Sequence, residues 1–131
     1  MTVIDHSKLR KFYLPGIVHQ TVAGPEQGVK SLEVWIETIS PGAGTPPHRH
    51  DCEEVFIILG GSGRVTIEGQ DSDFGPDATI IVPPGVVHQV VNSGSEDLFF
   101  VVVLGMAPAR ATTPEGEPIP LPWQSSSGNK E

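Results

Sequence analysis

The sequence holds one cysteine, Cys52, in 131 residues. No disulfide can close within such a chain, so the fold must rest on its core, and a reducing compartment suits it. Basic residues are also scarce: eight Lys and Arg, nowhere clustered, face sixteen Asp and Glu, for a formal net charge of −8. That balance argues against nucleic acid or an anionic membrane as a partner. No apolar run approaches the roughly 20 residues of a membrane-spanning helix. The opening stretch "MTVIDHSKLRKFYLPG" has neither the long apolar core nor the small-residue cleavage site of a secretory signal. Helical periodicity is missing too, since no segment keeps a three-to-four-residue apolar spacing over three turns. These absences leave a cytoplasmic, non-helical protein whose expected partners are a small molecule and a second copy of itself.

What is present is punctuation. Fifteen glycines and thirteen prolines separate short runs rich in Val, Ile and Phe, the pattern of an all-β fold with many short strands closed into a sandwich or barrel. The expected strands are Ser31 to Ile39, Glu54 to Leu59, Gly63 to Glu68, Ala78 to Val82, Val86 to Val91 and Leu98 to Leu104, with turns at "SPGAG", "GGSG", "EGQDSDFGP", "PPG" and "NSGSED". In "SLEVWIET", alternation puts Leu32, Val34 and Ile36 on one face and Glu33, Trp35 and Glu37 on the other. The run "LFFVVVLG" is apolar on both faces and calls for cover on both, which a homodimer would supply. The length suits a single domain, residues 1–131. Its Pro-rich end, 108–131, reads as an extended segment laid across that domain, anchored by Trp123 and frayed at the terminus.

The window "GAGTPPHRHDCEEVFIILGG" carries chemistry. In an extended chain His48 and His50 point the same way, close enough for both imidazoles to reach one ion at about 2.0–2.2 Å. Glu54 can return from the following strand as an oxygen ligand, and His88, just past the "PPG" turn, supplies a third imidazole. Three imidazoles and a carboxylate suit one divalent metal ion per chain, zinc first and Fe, Mn, Ni, Co or Cu as compatible alternatives, with positions open for a ligand. The other polar residues read more plainly: His6 and His19 as solvated surface histidines, Asp51 and Glu53 as surface acids or outer partners of the ligands, Cys52 as a small buried thiol. Trp35 is open between core and pocket wall.

The spacing Gly42, His48-x-His50, Glu54, Gly61 resembles the first motif of the cupin superfamily, and Pro83, Gly85, His88 and Asn92 resemble the second. The resemblance implies a double-stranded β-helix, a jelly-roll-like barrel covering about residues 28–108. At the first position of the second motif Asp77 stands where the family usually has glycine. Longer stretches, "LPGIVHQTVAG", "LEVWIETISPGAGTPPHRHDCEEVF", "HQVVNSGSEDL" and "PLPW", are similar to the plant auxin-binding proteins, dimeric cupins that bind auxin at zinc. The missing leader, paired cysteines and retention signal make this chain look like a prokaryotic relative. The same resemblance implies His48, His50, Glu54 and His88 as metal ligands. It implies a ligand pocket walled by Leu14, Ile17, Trp35, Thr45, Pro46 and Phe56, with Trp123 stacking on the ligand. Three positions depart: Glu37 replaces a glutamine that faces the auxin carboxylate, and Ala111 and Leu121 replace larger side chains. Two functions are therefore expected in order: a module binding a small carboxylate or auxin-like aromatic ligand at the metal, then a metal-dependent dioxygenase or isomerase acting on a small enol or diketone, with Glu37, or Glu54 displaced from the metal, as candidate catalytic base.

Overall fold

The computed structural model describes residues 2–124, so the expected fraying of the last residues lies outside the described part. Eleven strands occupy it: β1 Phe12–Leu14, β2 Ile17–Ala23, β3 Glu33–Ile39, β4 Glu54–Gly60, β5 Gly63–Ile67, β6 Gln70–Phe74, β7 Ala78–Val82, β8 His88–Val91, β9 Leu98–Leu104, β10 Ala111–Thr112 and β11 Pro118–Ile119. Among the described residues no helix is long and apolar enough to cross a membrane.

A six-stranded sheet runs β1-β2-β3-β9-β4-β7, and a smaller one β6-β5-β8. All pairings are antiparallel. Isolated bridges from Gly44 to Val91, His48 to His88 and Arg49 to Thr112 extend the smaller sheet through the histidine segment to the β10-β11 pair. Gly44 permits this approach, because a Cβ there would lie 2.7 Å from the Val90 carbonyl oxygen.

β9 holds the core together. Its alternate residues Leu98, Phe100, Val102 and Leu104 are all buried, each contributing about 1.5–3 kcal/mol on leaving water. Buried Asn92 ties the layers together by donating to the carbonyls of Ile39 and Glu96, while its side-chain oxygen accepts from Gly94 N–H. Asp77 keeps the turn in which the family usually has glycine: it adopts φ 62°, a left-handed conformation that Asp tolerates better than most residues.

Five strands escape the sequence reading: β1, β2, β6 and the short pair β10 and β11. β1 and β2 lie between residues 12 and 23, ahead of the first strand expected from the sequence. β6 lies inside the expected turn "EGQDSDFGP", where Glu68 and Gly69, both with positive φ, make a two-residue hairpin loop. β6 is an exposed polar edge, and a strand that buries nothing leaves no apolar alternation to read. β3 places its acids inward: Glu33, Trp35, Glu37 and Ile39 are buried, while Val34 and Ile36 face outward.

The outer face of the larger sheet is correspondingly apolar. Ile36 pairs with Val101, Val101 with Ile57, and Val55 with Ile81, and Ile81 is 65% and Leu59 49% exposed. One face of "LFFVVVLG" is thus covered within the chain and the other only partly.

Candidate metal centre

His48 and His50 lie on the segment that crosses from β3 to β4, Glu54 opens β4 and His88 opens β8. Two backbone contacts lock this convergence. His48 and His88 exchange N–H to carbonyl bonds of 3.0 and 2.9 Å, and Gly85, in the "PPG" turn at φ 76°, donates its N–H to the His50 carbonyl at 2.7 Å. One ligating atom from each of the four side chains falls within 4.8 Å of the others, a group able to hold a metal ion.

The ring orientations fit an ion. Each Nδ1 lies against a backbone carbonyl: His48 on Pro46 at 2.7 Å, His50 on Arg110 at 2.7 Å, His88 on Val86 at 3.0 Å. A carbonyl only accepts, so every Nδ1 carries the hydrogen and every Nε2 presents its lone pair to the centre. The buried Nε2 atoms of His50 and His88 and Oε1 of Glu54 have no hydrogen-bond partner. Glu54 Oε1 is 2.8 Å from His88 Nε2 and 3.6 Å from His50 Nε2, and with the ring hydrogens on Nδ1 these atoms face one another as acceptors. Orphaned lone pairs converging on one place are what a cation would satisfy. Burial first, and the neighbouring His88 second, push the His48 imidazole down to about 4. For His88, burial acts downward, but the adjacent Glu54 carboxylate outweighs it and the net direction is up.

Beside the four residues opens a cavity of about 320 Å³, with His48, His50 and Glu54 in its wall. Leu14, Ile17, Trp35 and Glu37 line it from β1 to β3, Thr45 and Pro46 from the histidine segment, and Phe56 from β4. Ala111, Leu121 and Trp123 close it from the C-terminal stretch. Trp35, open between two roles, fills both, since it is buried in the core and faces the cavity. Val102, Ile119, Pro120 and Pro122 complete the wall and are absent from the sequence reading. Only Val102 had a signal, its place in the inward alternation of β9.

His19 corrects the sequence reading. Expected at the surface, it is 0% exposed. Its Nδ1 is 2.8 Å from Glu37 Oε2 and its Nε2 is 2.8 Å from Thr21 Oγ1. Trp123 stacks on the ring at 3.7 Å and 15°, and Trp35 meets it edge-on at 5.0 Å. Trp123 therefore anchors the C-terminal stretch through an imidazole whose burial no local pattern signals. The second inward acid, Glu33, accepts from Trp35 Nε1 at 2.8 Å and Ala109 N–H at 2.9 Å. His6, Asp51 and Glu53 are exposed. Cys52 is buried, and that burial pushes its thiol up.

Comparison with known proteins agrees with this architecture. A family model described as auxin binding protein matches residues 2–120. Auxin-binding protein 1 of Arabidopsis thaliana is 40% identical over 106 residues, covering 73% of this chain and 54% of that protein, so the chain spans about half the length of such plant relatives. Among solved structures, the polyketide cyclase RemF of Streptomyces resistomycificus superposes with TM-score 0.72 at 22% identity, covering 83% of each chain. A cupin 2 domain-containing protein of Halorhodospira halophila gives TM-score 0.68 at 23% identity over 76% of this chain and 70% of that one. These likenesses establish the all-β cupin fold, and with the family match over nearly the whole described chain they make this protein a member of the auxin-binding protein family.

Proposed function

We propose that the protein binds a small carboxylate or auxin-like aromatic ligand in the 320 Å³ cavity, against a divalent ion, zinc in the first instance, held by His48, His50, Glu54 and His88. The observation that carries this reading is the meeting of an apolar-walled cavity with a convergent, otherwise unsatisfied set of metal-ligating atoms. When bound, such an ion supplies a Lewis-acidic positive centre, with charge left over after Glu54 is counted. Trp35 and Trp123 cover the ligand's apolar body, and the proline-rich stretch from Pro120 to Trp123 excludes water.

The test is metal analysis of protein purified without added metal, followed by calorimetry with indole-3-acetate. Bound zinc and a micromolar affinity that chelation abolishes are expected. Bound iron or manganese, with oxygen uptake on a diketone or flavonol, would replace binding by catalysis. One observation favours that second reading, a metal-dependent dioxygenase or isomerase: Glu37 reaches the cavity backed by the buried His19 imidazole, a pairing able to accept a proton.

The partly exposed outer face of the larger sheet is the surface to which we assign a second copy of the chain, since Val55, Ile57, Leu59, Ile81, Phe99 and Val101 on it are apolar and only Thr38 and Thr79 among their paired neighbours are polar. Sedimentation should give twice the chain mass for the wild type and a single chain mass for Ile81→Glu. A wild-type mass of one chain sinks the assignment.

A further inference from the structure

We propose that Glu37, positioned by His19, takes up the proton of a neutral, weakly acidic O–H ligand as it enters the metal cavity, so that the site accepts enols, hydroxamic acids and similar oxygen chelators in preference to ligands arriving as carboxylates. This rests on the reading that the cavity binds a small ligand through oxygen at the ion, and it ranks neutral O–H ligands ahead of the carboxylates named there.

The geometry separates the two carboxylate oxygens of Glu37. Oε2 is 2.8 Å from His19 Nδ1, whereas among the described residues Oε1 has no hydrogen-bond partner, and Glu37 is in the cavity wall. An ionised carboxylate only accepts, so Nδ1 carries the hydrogen. The ring is held in that direction by Thr21 Oγ1 on Nε2, by the Trp123 face and by the edge contacts of Trp35 and Phe12. His19 is the only ion-pair partner of Glu37 among the described residues. The other inward acid, Glu33, is occupied by Trp35 and Ala109. Arg10 sits over the Phe12 ring, 4.5 Å from its centroid.

An anionic ligand meets a like charge at the buried carboxylate of Glu37, which is unfavourable. A neutral O–H ligand removes the conflict. Its O–H bond breaks, the electron pair stays on the ligand oxygen facing the three imidazoles, and the proton bonds to Glu37 Oε1. Oε2 continues to accept from His19, and nothing is oxidised or reduced. His19 acts through Glu37 and is a positioning residue.

Calorimetry of the zinc-loaded protein at pH 7, repeated in buffers of different ionisation enthalpy, counts the protons released on binding. Benzohydroxamic acid, neutral at that pH, is the probe and benzoate the comparison. The wild type should release close to no proton per benzohydroxamic acid bound, whereas Glu37→Gln should release about one and bind it about tenfold more weakly. Benzoate should bind Glu37→Gln about tenfold more tightly than wild type, the like charge having gone. The isosteric amide keeps an acceptor for His19, and unchanged zinc content and circular dichroism establish that the variant is folded. A full proton released by the wild type, or equal counts in the two proteins, overturns the inference while leaving carboxylate binding intact. Failure of the wild type to bind either probe or indole-3-acetate overturns both.

Discussion

Replacing His50 by alanine should strip the protein of its divalent ion while leaving its β-sheet circular dichroism intact. His50 is 4% exposed, its Nδ1–H is fixed on the Arg110 carbonyl, and its Nε2 has no protein hydrogen bond. It therefore contributes a pre-oriented lone pair, and its removal leaves one imidazole fewer in a four-residue set. Loss even of a residue that merely supports a metal ligand typically costs about 10–100-fold in affinity, so loss of a ligand should cost at least about 100-fold. Equilibrium dialysis against a zinc chelator measures it. Global unfolding of the variant would instead make the site a structural staple.

Acid should reach the same end without mutation, and His88 dictates the direction. Its value is raised above the ordinary 6.5, so in the metal-free chain it protonates early and the ion must displace that proton. The protonated ring against Glu54 stabilises the metal-free fold below pH 6.5, and this contribution is lost as pH rises through the raised value. Metal binding gains over the same range. The difference in Tm between zinc-loaded and chelated protein should therefore widen from pH 5 to pH 8, and a constant difference would contradict the assigned ligands.

Phe100→Ala should give the largest loss of stability, about 3–5 kcal/mol. Phe100 is 0% exposed, sits in register between Glu37 of β3 and Ile58 of β4, and meets Phe56 edge-on at 5.4 Å. Phe56 in turn packs against the His88 ring at 6.2 Å. The hole left by truncation is walled by the fully buried Ile58 and the ring of Phe56, which limits its collapse. For a domain of this size the Tm should fall by roughly 10–20 °C. The neighbouring Phe99, 37% exposed on the opposite face, provides the control: Phe99→Ala should cost less than about 1 kcal/mol. Urea midpoints of the two variants decide the matter, and equal losses would mean that a second copy buries Phe99 as completely as the chain itself buries Phe100.

Legibility followed the match between side-chain character and burial. β4, β7 and β9 have strong apolar content and clear turn residues on either side, and their bounds lie within a residue of those expected. His48, His50 and Glu54 are close in sequence and extended in conformation, so their common direction is a local property. His88 could be added because the "PPG" turn marks where the chain doubles back. β6 had no such signal, being polar throughout, and β1 and β2 mix apolar residues with His19, Gln20 and Thr21.

By itself the sequence was enough for the strand-rich architecture, the two motifs and the four residues that converge as a group able to hold a metal ion, because turn chemistry, strand alternation and ligand spacing all act over a few residues. Tertiary structure alone decided which face of β3 is inside, and with it the placing of Glu33 and Glu37 in the interior. It also decided that His19 is a buried partner and not a surface residue. A buried polar group is tolerated only when another part of the chain satisfies it, and here those parts are distant: Glu37 answers His19 from the next strand, and Ala109 N–H answers Glu33 across most of the chain. Partnerships of that kind come into being only when the sheets close.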